Sequence, residues 1–148
     1  MKSHYRVVVV GGGVVGASVI YHLAKFGWSD VCMLERSVLT AGSSWHAAGG
    51  IHALNADPNI SALQAYTIDL LQEIEAESGQ DIGLHMTGGL TMAGTPDRWE
   101  WLQSAYRVYQ SIGISDCRLV TPDEARELNP IMSTEGLLGG MWADREGY

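Results

Sequence analysis

Arg6-Val7-Val8-Val9-Val10 runs directly into Gly11-Gly12-Gly13-Val14-Val15-Gly16, and Val31-Cys32-Met33-Leu34-Glu35 closes the stretch. The β-branched run from Tyr5 to Val10 predicts a parallel strand buried on both faces. Gly16, Val19, Ile20, Leu23 and Phe26 recur at a helical period from Val14 to Phe26, and Gly27 stands where a helix stops. Val31 to Leu34 is again a short apolar strand. Strand, glycine turn, helix, strand and acid are the grammar of a dinucleotide-binding βαβ unit.

Each part of that grammar has a physical task. Gly11, Gly13 and Gly16 match G-x-G-x-x-G. The first allows a tight turn, the second lets backbone approach a pyrophosphate, and the third brings the helix against the strand. The phosphates would meet the free N–H groups and positive end of a helix opening at Val14 and Val15. Glu35 ends the second strand at the roughly 20-residue spacing where a carboxylate accepts both hydroxyls of a ribose. A phosphate on the 2′ oxygen would be repelled there, which argues against NADP. FAD and NAD share the ADP moiety, so the unit alone leaves both open.

The 148 residues suffice for one domain with a real core, and 46% hydrophobic with 18% charged content reads as globular rather than disordered. A formal charge of −8 speaks against a nucleic-acid partner. Two cysteines, Cys32 inside a predicted strand and Cys117, support no disulfide framework and suggest a reducing compartment. No apolar stretch approaches the roughly 18 residues of a membrane span, and no cleavage site of signal-peptide form follows the valines. The expectation is a cytoplasmic protein without a membrane partner, or one of the mitochondrial matrix in a eukaryote.

Residues 36–56, rich in Gly, Ser, Ala and Asn, read as a long loop, and a loop of that length is usually functional. Asp57-Pro58 then caps a helix that stops at Gly79, with Leu63, Tyr66, Leu70 and Ile74 as its apolar stripe. Leu84 to Met86 and Leu90 to Ala93 read as strands of a hairpin through Gly88-Gly89. A helix from Thr95-Pro96 to about Ile112 follows, then a strand from Arg118 to Val120. Thr121 and Glu124 form a capping box for a helix ending before Asn129-Pro130, and Gly136 to Ala143 reads as a last strand. The expected architecture is α/β: a Rossmann-like βαβ start in residues 1–56, then helices and first strands of an antiparallel substrate-side layer in 57–148. Two parallel strands are too few to cover both faces of a doubly wound sheet, so the fold reads as the beginning of a larger protein.

The loop Ala41-Gly42-Ser43-Ser44-Trp45-His46-Ala47-Ala48-Gly49 resembles the flavin loop of the dimethylglycine and sarcosine dehydrogenases, which are D-amino-acid-oxidase-like flavoproteins. The resemblance continues through Ser78-Gly79-Gln80, Gly83-Leu84-His85, Gly89 to Pro96 and Leu137 to Tyr148, in the same order. It covers essentially the whole chain, but only the N-terminal part of such enzymes. It implies FAD, held covalently through the 8α carbon by the histidine of the Trp-His loop, here His46. A neutral imidazole nitrogen suits that attack. Ser43 and Ser44 would contact the pyrophosphate or ribityl chain and Trp45 would pack near the flavin, with Arg36, Gly49 and Ile51 completing the cofactor set. Residue type alone favours a His46 that merely hydrogen-bonds within the loop, with FAD non-covalent; the resemblance is what turns the reading toward the covalent link.

The implied activity is oxidation of the N-methyl C–N bond of dimethylglycine or sarcosine, with an electron-transfer flavoprotein or oxygen as acceptor. Tetrahydrofolate would enter only through sequence beyond this chain, as would the substrate clamp, so no catalytic residue and no metal ligand is assigned. Alone, the chain is expected to be inactive and poorly stable. Two other readings stand: an amino-acid oxidase of the glycine-oxidase type with non-covalent FAD, and a non-catalytic nucleotide-binding fragment. His4 and His22 read as structural or solvated. Trp99 and Trp101 fall on different faces of one helix, and Asp144-Arg145-Glu146 reads as a turn beside a strand.

Overall fold

In a computed structural model that describes residues 2–148, the valine run forms β1 (Val7–Val10) and the second apolar stretch β2 (Val31–Leu34). The two pair in parallel, Val7 opposite Val31 and Val10 opposite Leu34, joined by the crossover helix α1 (Val14–Lys25). Burial on both faces does not occur. Val9 faces Gly16 of α1 and is half-buried, whereas Val8 is 46% and Val10 83% exposed. One helix covers one face of a two-stranded sheet, and the other face has no layer against it within this unit. The helix shows the same thing: Gly16 is buried and Ile20 and Leu23 half-buried, but Val19 and Phe26 of the expected stripe are exposed.

The chain divides into two compact units, Met1–Ala48 and Gly49–Tyr148. The second contains α2 (Pro58–Ser78), β3 (Gly89–Ala93), α3 (Pro96–Ser111), β4 (Cys117–Val120), α4 (Pro122–Leu128) and β5 (Gly139–Ala143). The three strands form an antiparallel sheet in the order β3-β5-β4, with Thr91 opposite Met141 and Leu119 opposite the same residue from the other side. Leu102, Ala105 and Tyr109 of α3 are buried, and the core they join contains Ala93, Cys117, Met141 and Ala143 of the strands and Ile68 of α2.

Helix boundaries follow local chemistry. Asp57 accepts the N–H groups of Asn59 (2.8 Å) and Ile60 (3.1 Å), Pro58 occupies the first turn, and Gly79 ends α2 at φ 66°. Thr121 and Glu124 make both halves of the capping box that opens α4.

The predicted hairpin is absent. Leu84 to Met86 forms no strand, and the chain runs on through Gly88 without turning back. Both segments align instead with the last residues: Gly88 N–H donates to the Glu146 carbonyl (2.8 Å), and His85 and Tyr148 exchange backbone bonds (2.6 and 3.0 Å) beyond the β3–β5 ladder. A Gly-Gly pair permits a hairpin without requiring one, and pairing with β5 buries Ala93 and Met141 beneath α3. On α2 the buried residues are Ser61, Ile68 and Leu70, while Leu63 and Tyr66 of the predicted stripe are exposed. The inward face is drawn round by the Ser61 hydroxyl, which donates to the Ala53 carbonyl.

A candidate nucleotide and flavin site

The glycine loop, Glu35 and the serine turn meet in the first unit. Gly11 takes φ 107°, open to glycine alone at no cost, and its N–H donates to the Leu34 carbonyl at 2.8 Å. A Cβ on Gly16 would lie 1.9 Å from the Gly11 carbonyl oxygen, so the helix starts this close to the loop only because it carries a glycine there. The N–H groups of Val15 and Gly16 find no acceptor among the described residues. These are unpaired donors at the positive end of α1, where an anion is favoured.

Residues 36–47 are irregular apart from one 3-10 turn, Ser43–His46. Ser44 Oγ accepts the Val14 N–H at 2.9 Å, which folds the turn against the start of α1. Glu35 accepts the Gly12 N–H (2.8 Å) and the Ser37 N–H (2.9 Å), one on each oxygen. Those donors, Gly12 first, hold its carboxyl below the usual carboxylate range. An ionised carboxylate offers about four acceptor directions, so lone pairs are left for ribose hydroxyls. Gly13, Glu35, Arg36, Gly42, Ser43 and Ser44 line one cavity of about 430 Å³. Unpaired N–H donors at the start of α1 for phosphate and a carboxylate with free lone pairs for ribose, both in this unit, fit the ADP half of a dinucleotide.

His46 Nδ1 lies 3.0 Å from the Gly42 carbonyl. A carbonyl only accepts, so the bond requires the proton on Nδ1 and leaves Nε2 of the neutral ring with a free lone pair. The side chain is exposed, as is Trp45 at 77%. Gly49 and Ile51, the last of the expected cofactor set, fall in the second unit, where Ile51 pairs with Gly147. His22 bonds the Ser18 carbonyl in its own helix, and the His85 ring packs 5.2 Å from that of Tyr148.

The sequence alone gives no sign of the second unit's polar centre. Glu146, in the stretch read as a turn beside a strand, is 8% exposed and accepts the Tyr109 hydroxyl at 3.4 Å. A Cβ on Gly89 would lie 2.1 Å from Glu146 Oε2, so β3 opens with the one residue that leaves the carboxylate room. Burial pushes its carboxyl up, against the N–H groups of Ala53 and Leu54 and the nearby His52 and Tyr109, which pull it down. Its neighbour Arg145 does lie at the surface, bonded to Asp69 and 3.3 Å from Asp116. Acid followed by glycine is the only local signal at Glu146, and it is common to turns.

Residues 6–148 match the family described as FAD dependent oxidoreductase. The chain belongs to that family. It is 34% identical over 148 residues to the mitochondrial dimethylglycine dehydrogenase of Rattus norvegicus, covering 99% of this chain and 17% of the relative. It is 34% identical to the formaldehyde-forming 4-methylaminobutanoate oxidase of Paenarthrobacter nicotinovorans, covering 100% and 18%. Human mitochondrial sarcosine dehydrogenase is 32% identical over 99% of this chain and 16% of its own length. Glycine oxidase from Geobacillus kaustophilus superposes with a TM-score of 0.76 at 29% identity, covering 97% of this chain and 40% of that one. L-proline dehydrogenase from P. horikoshii, 23% identical, superposes at 0.88 over 99% and 38%, a likeness of fold. The chain thus spans under a fifth of these three curated relatives and is a partial fold of the flavoprotein type. The FAD-family chain has a parallel βαβ unit and an antiparallel layer, as the sequence led one to expect.

Proposed function

We propose that this chain supplies the ADP handle and flavin tether of an FAD-dependent oxidoreductase that oxidises the N-methyl C–N bond of a methylated glycine. The cavity shared by Gly13, Glu35, Arg36, Ser43 and Ser44 carries the reading, because it gathers those glycine-loop, acid and serine-turn residues in one place. The 34% identity to dimethylglycine dehydrogenase supports the substrate class. With its ADP half bound there, FAD would supply the two-electron oxidation of the N-methyl C–N bond.

The chain's own residues bind and orient. Val15 and Gly16 N–H groups receive the pyrophosphate, and Glu35 receives the ribose hydroxyls. Ser44 holds the serine turn on the helix start. His46, with its Nδ1–H on the Gly42 carbonyl, would be the residue that tethers the flavin, through Nε2.

Acid precipitation of the protein that carries this chain, followed by fluorescence of the washed pellet, tests the tether. Flavin fluorescence should stay with the polypeptide and vanish in His46→Ala. Flavin released wholly into the supernatant would favour the glycine-oxidase type instead, and no flavin in either fraction would remove FAD from the proposal altogether.

A further inference from the structure

Among the described residues Thr40 is the one residue other than glycine with a positive φ, at 67°. That left-handed region crowds a β-branched side chain, whereas glycine would occupy it freely. Such strain persists only where surrounding contacts hold it, and it gathers at functional sites.

The contacts that hold Thr40 reach in two directions. Its N–H donates to the Gly12 carbonyl at 3.0 Å, and its carbonyl accepts the Trp45 N–H at 3.1 Å. Gly12 is a position that G-x-G-x-x-G leaves unspecified, and its own N–H donates to Glu35 Oε2 at 2.8 Å. A chain of three hydrogen bonds therefore runs from the Glu35 carboxylate through Gly12 and Thr40 to Trp45, the residue before His46. Leu39 lies over the same glycine, since a Cβ on Gly12 would fall 2.6 Å from Leu39 Cδ2. Ala41 to Ser44, directly after Thr40, line the nucleotide cavity with Gly13 and Glu35. All of these residues belong to the first unit. The Thr40 side chain is exposed, so what the residue supplies here is its backbone.

Resting on the reading that His46 tethers FAD, we infer that Thr40 is a positioning residue for that tether: its left-handed backbone hangs the Ser43–His46 turn from the glycine loop and so sets where His46 stands relative to Glu35. The backbone makes the connection and the side chain works against it. Two substitutions separate these contributions. Thr40→Gly keeps both hydrogen bonds and removes the crowding. Thr40→Pro removes the donor and cannot take a positive φ.

Amide hydrogen exchange, together with the fraction of flavin that stays with the acid-precipitated polypeptide, tests the assignment on the whole protein that carries this chain. In Thr40→Gly the Trp45 amide should exchange about threefold more slowly or better, with a tethered fraction no lower than in wild type. In Thr40→Pro the Trp45 amide should exchange about tenfold faster or more and the tethered fraction should fall about fivefold or more, while the amides of the β1–β2 ladder keep their protection. Loss of tethered flavin in Thr40→Gly would overturn the inference, because the side chain would then be what matters. So would a Trp45 amide that Thr40→Gly leaves unmoved, or a fully tethered flavin in Thr40→Pro. Protection lost alike across the β1–β2 ladder in Thr40→Pro marks a general stability role and would overturn it too. A wild-type protein whose flavin is wholly released by acid, with the expected exchange at Trp45, would instead sink the tether reading on which the inference rests.

Discussion

At the scale of single residues the first unit depends on atoms that are not there. The missing Cβ of Gly16 is the clearest, because the Gly11 carbonyl occupies its place. Gly16→Ala forces helix and loop apart and should cost about 1–3 kcal/mol, as overpacking does. The loss should appear in thermal melts of the first unit together with weakened binding of ADP; an unchanged melt would mean that the loop yields freely. Two carboxylates carry opposite pH signatures. Glu124 is held below its ordinary value by the Thr121 N–H and hydroxyl, so the stability it lends is present above the unfolded value and is lost as pH falls through the lowered one. Glu146 is raised by burial, so the folded state binds its proton more tightly and stability declines as pH rises from the ordinary glutamate value through the raised one. Wild type should therefore lose melting temperature relative to Glu146→Gln as pH rises above about 4. A difference independent of pH would show that the carboxylate's charge is not what burial opposes. Cys117, pushed up to about 11 by burial first and then by the charge of Asp116, is an inert thiol at neutral pH.

At the scale of elements, what the sequence made legible was whatever the chain settles within a few residues. The limits of α2 were readable because Asp57, Pro58 and Gly79 each act on their own neighbours, and Asp57→Ala should cost about 1 kcal/mol because the Asn59 and Ile60 N–H groups lose their shared acceptor. Chemical denaturation reads that cost directly, and a change near zero would mean that packing alone sets the start of the helix. The capping box of α4 and the glycine loop with Glu35 were legible for the same reason. The hairpin was misread because β3 chooses a partner, β5, from far along the chain, and no local signal records that choice. The stripe of α2 held only in part: Leu70 is buried and Ile74 half-buried, but Leu63 and Tyr66 are exposed because the inward face runs through Ser61 and Ile68. Within the candidate site the same division holds. Gly13, Glu35 and Ser44 could be named from spacing, whereas the bond that orients His46 exists only after folding.

At the scale of the whole molecule the two units differ in how much of their apolar surface they cover. The second closes Leu102, Tyr109 and Met141 almost completely. The first leaves Val10, Val14, Val15 and Phe26 two-thirds exposed or more, in a family whose relatives are several times longer. Expressed as these 148 residues, the chain should protect Leu119 and Met141 from amide exchange far better than Val9 and Cys32, and should bind a hydrophobic dye. Equal protection in both units would show that the βαβ unit stands without further cover. No helix among the described residues is long and apolar enough to cross a membrane, so the exposed valines are not part of a helical span.

The fit between Gly89 and Glu146 bears on how this sequence can change. The side chain at one position fills the place that a side chain at the other would need, so the two residues are a single choice written in two places. Variation at 89 alone meets a filled socket, and variation at 146 alone leaves a hollow beneath the strand. A library that randomises position 89 alone should return almost only glycine, whereas one that varies both together should find replacements, such as a larger residue at 89 with a small one at 146. Those replacements would keep the strand and give up the bond from the Tyr109 hydroxyl to Glu146, separating what the strand requires from what the buried carboxylate adds.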